Sequence, residues 1–178
     1  MLRGLLFRYS CLLACLLVQP AFAQPAAVVS GGRVVAVVDG ETLTVTLPDR
    51  RSMQIGLLGI AAPARLQAFG DQARTRLAAL VFGREVEVAG LRPDDRGRMT
   101  GRVMAADPNC NVPACPKIHD VGLMQLMSGL AWLDRRHAGG LSPQEFDNYE
   151  AAEFNAKLRR LGLWAGRNPV PPWQWPGH

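Results

Sequence analysis

Residues 33–63 read RVVAVVDGETLTVTLPDRRSMQIGLLGIAAP, three apolar runs punctuated by turn residues. Arg33 to Val38 is densely β-branched. Thr42 to Leu47 alternates, with Leu43, Val45 and Leu47 on one face and threonines on the other, the period of a half-buried strand. Between them, Asp39-Gly40 is a hairpin signal, because a tight turn favours positive φ at such a pair. Pro48 to Arg51 is a second turn, and Met53 to Ile60 reads as a third strand that Pro63 ends.

Downstream the period changes. Asp71 to Phe82 carries apolar residues at helical spacing and closes at Gly83. Arg84 to Ala89 alternates as a fourth strand, Leu91 to Arg98 is a charged loop, and Met99 to Ala106 is a fifth strand. Asp120 caps a helix running through Gly129, whose apolar side is Val121, Leu123, Met124, Leu126 and Met127. Ser142-Pro143 with Glu145 opens a last helix, which runs to about Leu161. The tail after it is too rich in proline to be helical. Three strands, a helix, two strands and two helices predict an α+β fold, a five-stranded OB-type β-barrel with three α-helices.

Upstream, residues 1–23 read as a secretory signal peptide. Arg3 and Arg8 start it, Cys11 to Val18 is its apolar stretch, and Ala21-Phe22-Ala23 is the cleavage site. Leu12-Leu13-Ala14 ahead of Cys15 offers a competing lipoprotein reading, whose apolar region Arg8 shortens. The expected organisation is a signal peptide (1–23), a flexible lead-in (24–32), the barrel domain (33–166) and a Pro/Trp-rich tail (167–178), exported to the periplasm or secreted.

Composition supports one globular domain. The 178 residues are 48% hydrophobic and 20% charged, and no apolar run reaches the ~18 residues of a membrane span, which excludes a polytopic membrane protein. The 20 basic residues less Arg3 and Arg8, set against 15 acidic ones, leave +3 after cleavage. That is a weaker pointer to nucleic acid than a dedicated basic patch. Cys110 and Cys115 sit in the Pro/Asn-rich loop PNCNVPACPK. In an oxidising compartment such a pair predicts a disulfide. A metal site with His119 is the rival, one ligand short of a closed zinc site.

A set of motifs then falls into order: Val38-Asp39-Gly40-Glu41-Thr42-Leu43, Ile55 to Pro63, Phe69-Gly70-Asp71-Gln72-Ala73, Asp95-Arg96-Gly97-Arg98, Gly129-Leu130-Ala131-Trp132, Gly162-Leu163-Trp164-Ala165 and Asn168 to Trp173. In this order and spacing the chain resembles the staphylococcal nuclease-like (thermonuclease) family from about Arg33 to Trp175. The resemblance implies, for active members, calcium-dependent hydrolysis of DNA and RNA phosphodiesters. Such chemistry needs a metal held by carboxylates, arginines to take the charge building on phosphorus, and a carboxylate base for water.

The resemblance places the first metal carboxylate on Glu41, an Asp in most of the family; Asp39, next to it in the turn, is a weak further candidate ligand. It places the strand arginine on Gly56, the second metal carboxylate on Ala61 and the base on Ala64, while Arg98 is the retained arginine. None of the three replacements carries a polar side-chain atom. Losing one charge stabiliser costs ~10²–10³ in rate, and losing a base costs ~10²–10⁴. Bound Ca²⁺ is therefore expected to be weak.

Other residues have two readings each. Arg65 is a phosphate contact or a solvated loop arginine, and Asp39 is a donor or a turn former. His137, after Arg135-Arg136, reads as a basic helix end. Trp132 and Trp164 read as core anchors, while Trp173 and Trp175 either stack bases or pack on the barrel. The expectation is a monomeric binding module without strong nuclease activity, taking single-stranded nucleic acid, another polyanion or an envelope protein partner. The alternatives are an atypical metal-dependent nuclease and a structural protein of the cell envelope.

Overall fold

The computed structural model describes residues 29–110, 112 and 114–176. Residues 1–23, read from the sequence as a signal peptide and carrying Cys11 and Cys15, lie outside the described residues. No helix among the described residues is long and apolar enough to cross a membrane.

The strands are β1 (Val29–Val37), β2 (Thr42–Thr46), β3 (Ser52–Leu57), β4 (Ile60–Ala61), β5 (Glu85–Pro93), β6 (Met99–Ala105), β7 (His119–Asp120) and β8 (Trp132–Leu133). The helices are α1 (Gly70–Val81), α2 (Val121–Met127) and α3 (Pro143–Leu158). The main sheet runs β3-β2-β1-β5-β6-β7, and a parallel pairing of β3 with β6 closes its five long strands into a barrel. Closure leaves no free edge between β3 and β6. The alternation read from the sequence is the register seen. Leu43, Val45 and Ile55 point inward from β2 and β3, Val86, Val88 and Val103 from β5 and β6, and Leu77, Leu80 and Leu126 cover them from the helices.

Several boundaries differ from the sequence reading. β1 begins at Val29, inside the segment read as a flexible lead-in, because Val29 pairs with Val88 of β5. β5 extends to Pro93, into the first three residues of the segment read as a charged loop. After an irregularity at Ala89 to Arg92, the ladder resumes with Arg92 opposite Thr100. On α2, Met127 is exposed and Gln125 is fully buried. The tail is not wholly extended: residues 162–165 and 172–174 each form a 3₁₀ turn.

Polar side chains fix the helices. Asp120 Oδ1 accepts from the Leu123 amide at 3.1 Å and caps α2. Ser142 and Glu145 form the reciprocal capping box at the start of α3. Cys110 and Cys115 are joined by a disulfide.

Candidate functional site

The turn between β1 and β2 carries the first site residue. Asp39 Oδ1 accepts from the amides of Glu41 at 2.9 Å and Thr42 at 2.7 Å, which makes Asp39 a turn former. Gly40 is required for a different reason than its expected positive φ. A Cβ there would lie 2.6 Å from the Ala73 Cβ and 2.7 Å from the Ala62 Cβ, so the turn lies flat against α1 and the chain after β4. Gln125 locks this arrangement, donating from Nε2 to Gly40 O at 2.8 Å and Ala73 O at 3.0 Å.

Glu41 therefore points into a cleft. Its Oε2 accepts from the Ala62 amide at 2.6 Å, and its Oε1 lies 3.8 Å from Arg98 Nη1. Burial, with repulsion from Asp39, pushes its carboxyl up to about 7 against the pull of the Ala62 amide and Arg98. Arg98 precedes β6 and donates from Nε to Asp94 Oδ2 at 2.9 Å. Burial works against ionised Asp94, but amide and side-chain bonds from Arg98 and an amide bond from Arg96 hold it below the usual carboxylate range.

The remaining wall is apolar. Gly56 lies between Thr42 of β2 and Thr100 of β6, and Ala61 is buried opposite Trp132 of β8. Ala64 turns into a loop in which its amide donates to Gln67 Oε1 at 3.0 Å. Gln67 Nε2 in turn donates to Val170 O, fastening that loop to the tail. Arg65 is exposed and does not line the cleft, which fits its reading as a solvated arginine.

Ca²⁺ takes about six to eight oxygens, with affinity set by carboxylate count. Here one Glu41 oxygen and one Asp39 oxygen already accept backbone amides, and positions 61 and 64 offer no side-chain donor. No group of three or more His, Cys, Asp or Glu side chains among the described residues is placed to hold a metal ion. The residues present do not fit Ca²⁺.

A second wall escaped the sequence reading. Asp134, Arg136 and His137 follow β8 and, with Trp173, line the same cleft as Glu41 and Arg98. His137 is not at a helix end: α2 stops at Met127, and β8 intervenes. Asp134 is buried, and its amide donates to Gly59 O at 2.9 Å. Its carboxylate takes Arg136 Nε and Nη2, both at 3.0 Å, and His137 Nδ1 at 2.8 Å. Burial opposes the charge on Asp134, but these bonds from Arg136 and His137 keep it below the carboxylate range. His137 Nε2 lies 3.1 Å from Asp95 Oδ1, so the imidazole bridges the β5–β6 loop and the segment after β8. The bond to Asp134, then that to Asp95, raises the imidazole above its ordinary value, against burial.

Trp132 packs edge-on against Trp164 at 5.8 Å and against Trp173 at 6.4 Å, confirming it as an anchor. Arg136 lies over the Trp173 ring, its Cζ 4.6 Å from the centroid. The sequence signal for this wall was the WLDRRH run after the Gly-Leu-Ala motif, but nothing in its spacing shows that it faces Glu41.

Comparison with known proteins agrees with this architecture. The family described as Staphylococcal nuclease homologue matches residues 54–166. A micrococcal nuclease of Shigella flexneri is 36% identical over 81% of this chain and 79% of its own length. Protein ParB of Escherichia coli is 35% identical over 86% of this chain and 82% of its own. An uncharacterized endonuclease of Escherichia coli O157:H7 is 31% identical over 81% of this chain and 83% of its own. With its closed barrel, three helices and near full-length similarity, the chain belongs to the staphylococcal nuclease family.

Proposed function

We propose that the chain is an exported, single-stranded nucleic-acid-binding member of its family in which calcium-dependent phosphodiester hydrolysis has been lost. One observation carries this reading. The Glu41 carboxyl is half-buried against the Ala62 amide and Arg98, while the positions that the resemblance gives to an arginine, a second metal carboxylate and a base hold Gly56, Ala61 and Ala64. Barrel, helices and cleft remain, and Arg98 and Arg136 line that cleft beside an aromatic ring. OB-type grooves bind single strands with this combination and need no metal chemistry.

Relatives named as nucleases favour a second reading, metal-dependent hydrolysis by a different set of groups. One assay separates the two: cleavage and anisotropy of fluorescent single-stranded DNA with the purified protein, in Ca²⁺ and in EDTA. Binding without cleavage supports the proposal. Ca²⁺-dependent cleavage that disappears in Glu41→Ala and Arg98→Ala overturns it.

A further inference from the structure

We infer that Arg136 is a stacking platform for an unpaired nucleobase, so that this cleft recognises the bases of a single strand and not only its phosphates. The inference rests on the reading of the cleft as a nucleic-acid groove and names what one wall of it takes.

The guanidinium is fixed on two sides. Asp134 holds it in a bidentate pair, Nε to Oδ1 and Nη2 to Oδ2, each at 3.0 Å. Such fork-to-fork pairs set orientation as well as charge. Asp134 is itself buried and anchored through its amide to Gly59 O, which gives the fork a fixed partner. Trp173 then lies beneath, 4.6 Å from Cζ, and is braced edge-on by Trp132. Despite these partners the Arg136 side chain stays 53% exposed and lines the cleft.

Charge argues for a base over a phosphate at this position. Asp134 neutralises Arg136 directly, so the pair draws an anion weakly. Arg98 is also paired, with Asp94, but it lies on the wall beside Glu41. Neutralisation leaves the planar face of Arg136 intact, and a guanidinium plane stacks on aromatic rings. The bidentate pair also uses only Nε and Nη2, so Nη1 can donate, in the guanidinium plane, to a neighbouring group of the strand. Asp134 and Trp173 are positioning residues here, and Arg136 is the group that touches the ligand.

The test compares a short fluorescent oligothymidylate with an abasic strand of the same length and phosphate count, in EDTA, by anisotropy with the full protein. Stacking on one base predicts that the protein prefers the base-bearing strand by roughly 5- to 100-fold. Arg136→Lys keeps the charge and removes the plane, and its ratio falls towards one. Arg136→Gln gives the same loss, and thermal melts show that both variants are folded. Equal binding of the two strands by the natural protein, or an unchanged ratio in folded Arg136→Lys, overturns the inference alone. Failure to bind either strand overturns both the inference and the nucleic-acid reading on which it rests.

Discussion

Glu41 Oε2 accepts a hydrogen bond from the Ala62 amide at 2.6 Å, which ties the β1–β2 turn to the chain just after β4. The carboxyl that family resemblance assigns to a metal is here a structural acceptor. Replacing it with alanine leaves a buried amide unpaired. At about pH 5, where Glu41 is protonated, Glu41→Ala is expected to cost about 1–3 kcal/mol in urea denaturation, and Glu41→Gln, which keeps the acceptor, much less. Equal stability of the two variants would sink this assignment.

The same residue sets a pH slope. Its folded pKa is raised to about 7 from 4.5, chiefly by burial. The native state therefore binds more protons than the unfolded state across that window, and stability falls as pH rises through it. Glu41→Gln removes the penalty, so its stability relative to the natural protein should climb by on the order of 1–3 kcal/mol between pH 4.5 and 7. A difference that stays flat would show that the carboxyl titrates normally.

Gly56 shows why installing the residues that the family resemblance expects here takes more than one substitution. A Cβ there would sit 3.3 Å from Thr100 Cγ2, across the β3–β6 pairing that closes the barrel. Gly56→Arg alone should destabilise by about 1 kcal/mol through overpacking, and Thr100→Ser, which removes that methyl, should recover most of it. On the relieved background, Gly56→Arg with Ala61→Asp and Ala64→Glu is expected to gain Ca²⁺-dependent cleavage of single-stranded DNA. No gain in a folded variant would show that these three positions do not decide whether the protein cleaves.

The barrel was legible because local signals agreed with the global fold. Alternation at Thr42 to Leu47, the cap at Asp120 and the Ser142-Pro143 capping box each named its element, and each is present. What escaped was set by partners far away in the chain. The two-residue β8 exists only because Ile60-Ala61 lies opposite it, and that pairing turns Asp134, Arg136 and His137 towards Glu41. Gln125 broke the apolar pattern of α2 for a similar reason, since the acceptors it serves are Gly40 O and Ala73 O. The three substituted site positions were visible only by resemblance, because glycine and alanine announce nothing by themselves.

Asp120 joins three elements at once. It caps α2, accepts from Arg102 Nε at 2.8 Å, and accepts from the buried Tyr149 hydroxyl at 2.8 Å, while Arg102 also pairs with Glu145 of α3. Removing one member of a buried charged network strands the others. Asp120→Ala should cost about 3–5 kcal/mol in chemical denaturation. The isosteric Asp120→Asn keeps the cap and should cost visibly less. A loss below about 1 kcal/mol for alanine would mean that Arg102 and Tyr149 find other partners.

His137 bridges Asp134 and Asp95 and lines the same cleft as Arg136 and Arg98. Its pKa is raised above the ordinary 6.5, chiefly by the bond to Asp134 and then by that to Asp95. A raised basic pKa contributes stability that is fully present below the unfolded value and lost as pH rises through the folded one. The natural protein should therefore exceed His137→Gln in stability near pH 6 and lose that advantage as pH rises through the raised imidazole pKa. An NMR titration of the His137 ring tests the causes separately. Asp134→Asn should lower its pKa more than Asp95→Asn, because the buried partner holds Nδ1 while Asp95, 68% exposed, shares its bond with water. The opposite ranking, or a midpoint at or below the ordinary value, would mean that the imidazole does not bridge Asp134 and Asp95 in solution.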